Sequence, residues 1–283
     1  MSPSVNSIEA LKRRVTDLSA LPTLPGVVRF VSTMVEEGSA SMQEVGETIS
    51  RDQVLSAKIL RMVNSPFYGF PGRIASVTHA LVLLGFSVVK GLILSQAVFD
   101  NLSKQHRGLW EHSFGVAVIS RRLAKAMGIQ DSEEFMIAGL LHDLGKVVLA
   151  VVEPERYEAA VQLANRDRLH IAQAERHVFG VDHCEVASWI CDRWHLPPRL
   201  VDALCHHHAP GTVQHDAEAT AVVHVADIFA RAMGYGEPGD PVVPAIDRKT
   251  FASLGLALPQ YDAILRDAEG DFIEGITVFG LAE

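Results

Sequence analysis

The sequence IAGLLHDLGK spans residues 137–146 and sets an adjacent histidine and aspartate, His142 and Asp143, inside an apolar run. A run of this composition predicts a buried helix. Burying an unpaired carboxylate costs several kcal/mol or more, so Asp143 needs a partner. That partner is either a local hydrogen-bond donor or a bound cation, and the rest of the chain bears on the choice.

The composition is that of a globular protein with a large core. Of the 283 residues, 48% are hydrophobic and 21% are charged, enough for one large domain or two smaller ones. The chain has 25 Lys and Arg against 34 Asp and Glu, a net charge of −9. This balance argues against nonspecific nucleic-acid binding, and we expect no nucleic-acid partner. A protein partner or a small anionic ligand stays compatible with it.

Cysteine usage and hydropathy indicate a cytoplasmic protein. The three cysteines lack a CxxC spacing, which argues against a disulfide framework and predicts reduced thiols. No signal peptide is visible, and polar residues interrupt the apolar runs near 80–99 and 219–233, so we expect no membrane contact. No receiver or sensor domain is visible either, so input is expected from a ligand or another protein.

Helical periodicity and the absence of alternating strand patterns predict an all-α fold. Helices are expected at 7–18, 27–36, from Ser41 onward with Glu44 as a capping-box candidate, and at 54–63, 77–84, 87–102, 109–127, 132–152, 157–165, 171–179, 183–194, 200–208, 217–233 and within 247–268. The pair at 77–84 and 87–102 could be read as a helix-turn-helix, but its second helix lacks a basic face, which favours core packing. We expect an N-terminal helical half (7–105), a metal-binding helical half (106–236) and a C-terminal helical extension (237–283).

Polar side chains intrude on the apolar faces of five predicted helices. They are His112, His142, Asp143, His183, His207, His208 and Asp227. Singly, each has an ordinary explanation: a histidine on an apolar face is usually a hydrogen-bonded core residue, and Asp227 could cap a helix or pair with Arg231. Together they supply imidazole and carboxylate ligands for transition-metal ions, which would also neutralise the two buried aspartates.

The order of these residues resembles the H…HD…D signature of the HD superfamily of metal-dependent phosphohydrolases. His183, His207 and His208 resemble the additional ligands of its HD-GYP branch, as does the HDLGK form of residues 142–146. The resemblance implies that Asp143 bridges two ions and that Lys146 lies near the metals, where it can meet a phosphate. We expect two or three transition-metal ions, with iron or manganese favoured and zinc or nickel as alternatives.

Upstream motifs narrow the resemblance to the HDOD domain, an HD-related output domain of bacterial signalling proteins. These motifs are LPTLP (21–25), ISRDQVL (49–55), VNSPFY (63–68), ALVLLG (80–85), WHLP (194–197) and HHAP (207–210). The resemblance covers roughly residues 15–235. Many HDOD domains have lost metal ligands and act as non-catalytic modules, whereas this chain keeps a nearly complete set. The stretch that names HD-GYP is absent after His208, so cyclic-dinucleotide hydrolysis is not carried over.

Three functional hypotheses follow. The first is a regulatory HDOD protein that acts through a signalling protein partner or a ligand and has a structural or ligand-sensing metal site. The second is a phosphohydrolase for a nucleotide or cyclic dinucleotide, in which a metal-activated hydroxide attacks phosphorus and Asp143 and Lys146 are catalytic. The third is a metal-dependent oxygenase with paired iron.

Two further expectations concern the surface and pH. The loop Asn64–Arg73 carries Phe67, Tyr68 and Phe70, which either form a partner surface or fold back onto the metal-binding half. Histidine ligands must be neutral to bind metal, so occupancy is expected to fall below about pH 6.

Overall fold

The computed structural model describes residues 5–16, 41–51, 56–57, 59–60, 63–64, 74–85, 88–89, 106–194, 196–213 and 215–278. Every regular element in these ranges is helical, which confirms the all-α prediction. The helices are α1 (Val5–Thr16), α2 (Met42–Ser50), α3 (Arg107–Ala126), α4 (Ser132–Leu141), α5 (Leu144–Val152), α6 (Pro154–Asp167), α7 (Ile171–Phe179), α8 (His183–Trp194), α9 (Pro198–His206), α10 (Ala217–Ala232), α11 (Arg248–Ser253) and α12 (Leu258–Val278). Residues 77–85 are also helical, and Pro210–Thr212 form a 3-10 turn.

The predicted helix at 132–152 is two helices, and the break falls at the His-Asp pair. His142 follows α4, and Asp143 precedes α5 with φ −95° and ψ 18°. In an unbroken helix adjacent side chains point about 100° apart. The break therefore explains how both side chains of the pair can face one site.

Helix ends differ from the prediction where proline or the tail is involved. Helices α6 and α9 begin at Pro154 and Pro198, three and two residues before the predicted starts at 157 and 200, because the first helical position does not need the missing N–H. The last helix continues to Val278, ten residues beyond the predicted limit. The predicted helix at 27–36, half of the one at 54–63, most of the one at 87–102 and the aromatic loop lie outside the described residues.

Two helices, α3 and α8, hold the bundle together. Helix α3 packs against α4, α10 and α12, while α8 packs against α5 and α9. Within the described ranges one stretch, Ser132–Val152, is long and apolar enough to cross a membrane, and 94% of its most apolar window lies inside the protein. This stretch is the core pair α4–α5 on which the site is built.

Candidate metal centre

The structure brings all seven predicted ligands together in the interior. His112 lies in α3 and Asp227 in α10, whereas the other five lie at helix ends, next to α4, α5, α8 and α9. Six of the seven are at most 1% exposed. The side chain of His208 is 19% exposed, so the centre is closed except on the His208 side.

Asp143 lies between two groups of ligands. Its Oδ2 is 3.2 Å from His142 Nε2 and 3.8 Å from His112 Nε2. Its Oδ1 is 3.6 Å from His183 Nε2 and 3.8 Å from His207 Nε2. One carboxylate oxygen thus faces each group, as a bridging carboxylate requires.

The other ligands complete the two groups. Asp227 Oδ1 is 3.0 Å from His112 Nε2 and 3.9 Å from His142 Nε2 in the first group. In the second group, His208 Nε2 is 3.1 Å from His183 Nε2. Ligand bonds of about 2.1 Å place neighbouring donor atoms about 3.0 Å apart in an octahedral shell and about 3.4 Å apart in a tetrahedral one. The donor atoms of the two groups lie 3.0 to 3.9 Å apart, a range that begins at the octahedral value and extends beyond the tetrahedral one.

Hydrogen bonding orients the histidines with Nε2 toward the interior. The Nδ1–H groups of His112, His142 and His207 donate to the carbonyls of Tyr235, Gly139 and Ala203, over 3.3, 2.7 and 3.1 Å. A donating Nδ1 leaves the lone pair on Nε2. The three Nε2 atoms and Asp143 Oδ1 are buried without a hydrogen-bond partner in the structure. Buried polar atoms without partners are costly, and metal ions would satisfy all four.

Glu175 holds His183 in place and is not among the predicted site residues. It lies in α7, where its Oε2 accepts hydrogen bonds from His183 Nδ1 at 2.6 Å and from the His183 backbone N–H at 2.9 Å. Carboxylates commonly orient metal-binding histidines in this way. Burial raises the pKa of Glu175 well above its usual value. Its position in line with the buried Ile171 and Phe179 is the signal that could have revealed it.

Two buried cations balance the aspartates. Lys146 donates from Nζ to Asp143 Oδ2 at 2.7 Å, and Arg231 donates from Nε to Asp227 Oδ1 at 2.9 Å. Burial favours protonation of Asp143, but the nearby His142 and Lys146 outweigh it and hold its pKa well below the usual value. Burial also favours protonation of Asp227, but the nearby Arg231 and His112 outweigh it and hold the pKa of Asp227 well below its usual value. Asp227 therefore forms the ion pair with Arg231 and also belongs to the first group of candidate ligands.

Residues 235–242, here called the strap, form hydrogen bonds with His112, Lys146 and Arg231. The Tyr235 carbonyl accepts from His112, and the Pro238 carbonyl accepts from Lys146 Nζ at 3.1 Å. Asp240 binds Arg231 Nη1 through both carboxylate oxygens, at 3.1 and 3.2 Å. Gly236, at φ 64°, lies so close to α3 that a Cβ there would fall 2.3 Å from Gly108 O. The predicted boundary between residues 236 and 237 falls inside this strap, whose contacts with the site are not visible in the sequence.

The histidine pKa values give the metal-free protein a predictable response to acid. Burial lowers the pKa of His112, and lowers those of His183 and His208 well below the usual value; it takes the pKa of His207 to about 3. Below about pH 6.5 the unfolded chain therefore binds protons that the folded chain does not. The contribution of these four histidines to stability is full above that pH and is lost as the pH falls toward 3.

We expect the free energy of unfolding of the metal-free protein to fall by about 2 kcal/mol between pH 7 and pH 5 from His207 alone. The other three histidines add to this loss. Urea unfolding at pH 7, 6 and 5 measures it, and a His207→Asn variant should show a shallower dependence. Stability that is constant over this range would contradict the neutral, buried state of these rings.

Comparison with known proteins places the chain in a family. The HDOD domain family matches residues 21–210. A protein of Treponema pallidum (strain Nichols), named only as uncharacterized, is 24% identical over 192 residues, which are 66% of this chain and 37% of that protein. The chain thus spans little more than a third of that relative's length.

Solved structures share the fold. An HDOD domain protein of unknown function from Geobacter sulfurreducens is 26% identical, with a TM-score of 0.66 over 96% of this chain and 95% of that one. A candidate phosphohydrolase from Shewanella amazonensis SB2B is 23% identical, with a TM-score of 0.69 over 95% and 98%. A candidate signal transduction protein from Marinobacter aquaeolei VT8 is 19% identical, with a TM-score of 0.69 over 92% and 60%. With a family match over more than half of its length, the chain belongs to the HDOD domain family.

Proposed function

We propose that this chain is a regulatory HDOD protein that binds two transition-metal ions, bridged by Asp143, and acts through contacts with a protein or a ligand. The first ion is held by His112, His142 and Asp227, the second by His183, His207 and His208. The observation that carries the proposal is the orientation of the histidines. Three buried Nε2 atoms have no protein partner, and each ring has its Nδ1 fixed by a carbonyl.

The identity of the ions follows from the ligands. Imidazole and carboxylate together suit iron, manganese, zinc or nickel. We favour iron or manganese, with zinc or nickel as the alternatives. Two groups of ligands support two ions rather than three.

Burial favours regulation over turnover. Six of the seven ligands are at most 1% exposed, so a nucleotide would have to approach from the His208 side. Lys146 is fully buried, and its ammonium already donates to Asp143 and to the Pro238 carbonyl. To contact a phosphate it would have to give up one of these bonds.

Phosphoester hydrolysis is the second candidate function, with Asp143 and Lys146 as its catalytic residues. It is favoured by the opposed oxygens of Asp143, one toward each ligand group. Two adjacent ions supply a metal-activated hydroxide and stabilise charge on a phosphoester. Candidate phosphohydrolases are also among the proteins that share this fold. The complete ligand set therefore makes a substrate screen worthwhile.

The purified protein is expected to contain about two transition-metal ions per chain, and His142→Ala and Asp143→Ala are expected to lose most of them. Each substitution removes a ligand from the bridged pair, and loss of Asp143 affects both ions. Elemental analysis measures the content, and a phosphodiesterase screen on the same samples measures turnover. His215→Ala, at a histidine whose side chain is 65% exposed, is the matched control and should keep the full content.

The outcomes separate the candidates. Near-stoichiometric metal with no hydrolysis supports the regulatory function. Hydrolysis that both substitutions abolish, with the helical circular dichroism unchanged, would establish the enzyme instead. A wild-type protein that takes up no metal, even after reconstitution with Fe²⁺ or Mn²⁺, would overturn the metal site.

We further propose that the signal passes to a protein partner in the cytoplasm, with no membrane or nucleic-acid contact. The net charge of −9 and the reduced state of all three cysteines support this setting.

A further inference from the structure

His170 lies at the least buried side of the metal centre and has a free hydrogen-bond donor. Its ring centroid is 4.5 Å from that of His208, with an interplanar angle of 88°. The residue is only partly buried, but its Nε2 is out of contact with solvent and has no hydrogen-bond partner among the described residues.

The tautomer of His170 differs from that of the metal-facing histidines. His170 precedes α7, and its Nδ1 accepts a hydrogen bond from the Ala172 backbone N–H at 3.3 Å. An accepting Nδ1 places the proton of the neutral ring on Nε2. In His112, His142 and His207 the Nδ1 donates instead, and the Nε2 lone pair is available to a metal. His170 is therefore unsuited to bind a metal through Nε2 and needs an acceptor there.

Charge determines which acceptor fits. The buried charges at the centre are the carboxylates of Asp143, Asp227, Asp240 and Glu175, and the cations of Lys146 and Arg231. Fully ionised, these groups leave two negative charges uncompensated, or one if Glu175 is protonated. Two divalent ions bring four positive charges, so the loaded centre has a surplus of at least two. A surplus positive charge in a buried site attracts an anion.

We propose that the loaded centre binds an oxyanion on its His208 side and that the Nε2–H of His170 donates a hydrogen bond to it. His170 thus acts as a binding residue for a phosphate-like group and distinguishes an anionic ligand from a neutral one. The inference rests on the metal binding proposed above. It names the ligand class that a regulatory centre would sense or that a hydrolase would cut.

The test uses inorganic phosphate as the probe and His170→Ser as the variant. Serine is a good residue at the start of a helix and keeps an acceptor for the Ala172 N–H, but it cannot reach the ligand. Titration calorimetry on the full chain loaded with Mn²⁺ is expected to show phosphate binding that His170→Ser weakens about 10- to 100-fold, as for loss of a hydrogen bond to a charged group. The manganese content should equal that of the wild type.

His177→Ala is the matched control, since His177 lies on the exposed side of α7. The His177→Ala protein should bind phosphate with the affinity of the wild type. If His170 only packs edge-on against His208, His170→Ser will bind phosphate as the wild type does, and the inference fails. A loaded wild-type protein that binds no phosphate also overturns it, while the metal site stands. Failure to take up manganese overturns the proposed function itself.

Discussion

Arg231→Met is expected to lower the free energy of unfolding of the metal-free protein by about 3–5 kcal/mol. Arg231 is fixed between two carboxylates, Asp227 at 2.9 Å and Asp240 at 3.1 Å, and all three side chains are at most 2% exposed. Methionine fills similar space but leaves two buried negative charges without a cation. Urea unfolding of the chelator-treated protein measures the loss. Added metal should restore part of it, because an ion neutralises Asp227 but does not contact Asp240.

A matched pair on the surface isolates the effect of burial. Arg122 also binds two carboxylates, Asp271 at 2.7 Å and Asp267 at 2.8 Å, but its side chain is 28% exposed. Arg122→Met is expected to cost less than about 1 kcal/mol. The double variant Arg231→Met/Asp240→Asn should be more stable than Arg231→Met alone, since it removes one of the stranded charges. Equal effects of the two arginine substitutions would contradict this account of the buried cluster.

Local sequence patterns predicted most of the described helices. The apolar period located α3, α7, α8 and α10 to within about two residues, because each has one buried face against the core. The break between α4 and α5 was not predictable in the same way. Residues 132–152 are apolar all round, and an apolar run has no periodicity that marks where a helix stops. The C-terminal end of α12 lies beyond the predicted limit of 268, because packing against α3 keeps a stretch that contains Gly270 and Gly275 helical.

The candidate metal ligands were predictable because they are polar residues in apolar faces, but the groups that support them were not. Glu175 lies eight residues before His183, and nothing local shows that its carboxylate reaches that ring. The strap contributes the carbonyls of Tyr235 and Pro238, and backbone groups leave no trace in the residue types. Nothing in the sequence distinguishes Asp240 from other loop aspartates, because its contacts with Arg231 and with the backbone N–H groups of Ile171 and Val242 form only in the folded chain. These partners depend on how distant segments meet, which is a property of the assembled fold.

The glycine of the HDLGK stretch is expected to be among the least replaceable residues of the chain. A Cβ on Gly145 would lie 1.9 Å from the carbonyl oxygen of His183 and 2.7 Å from its carbonyl carbon. Both atoms belong to the backbone, so no side-chain rotation relieves the clash. Gly145→Ala must push α5 away from the start of α8, which separates Asp143 from His183. We expect a loss of about 3 kcal/mol or more in the free energy of unfolding, at the upper end of overpacking costs.

The same displacement should weaken metal binding by at least about tenfold, because misplaced supports around a centre typically cost 10- to 100-fold in affinity. Gly270→Ala is the matched control: it lies within α12, and a Cβ there meets nothing within 4 Å. That substitution should stabilise the protein by about 0.5–1 kcal/mol, as alanine does in an exposed helix. The opposite signs of two identical substitutions test the close approach of α5 and α8 directly. A Gly145→Ala protein with wild-type stability and full metal content would show that the two helices do not meet as the structure has them, and the bridging position of Asp143 would lose its structural basis.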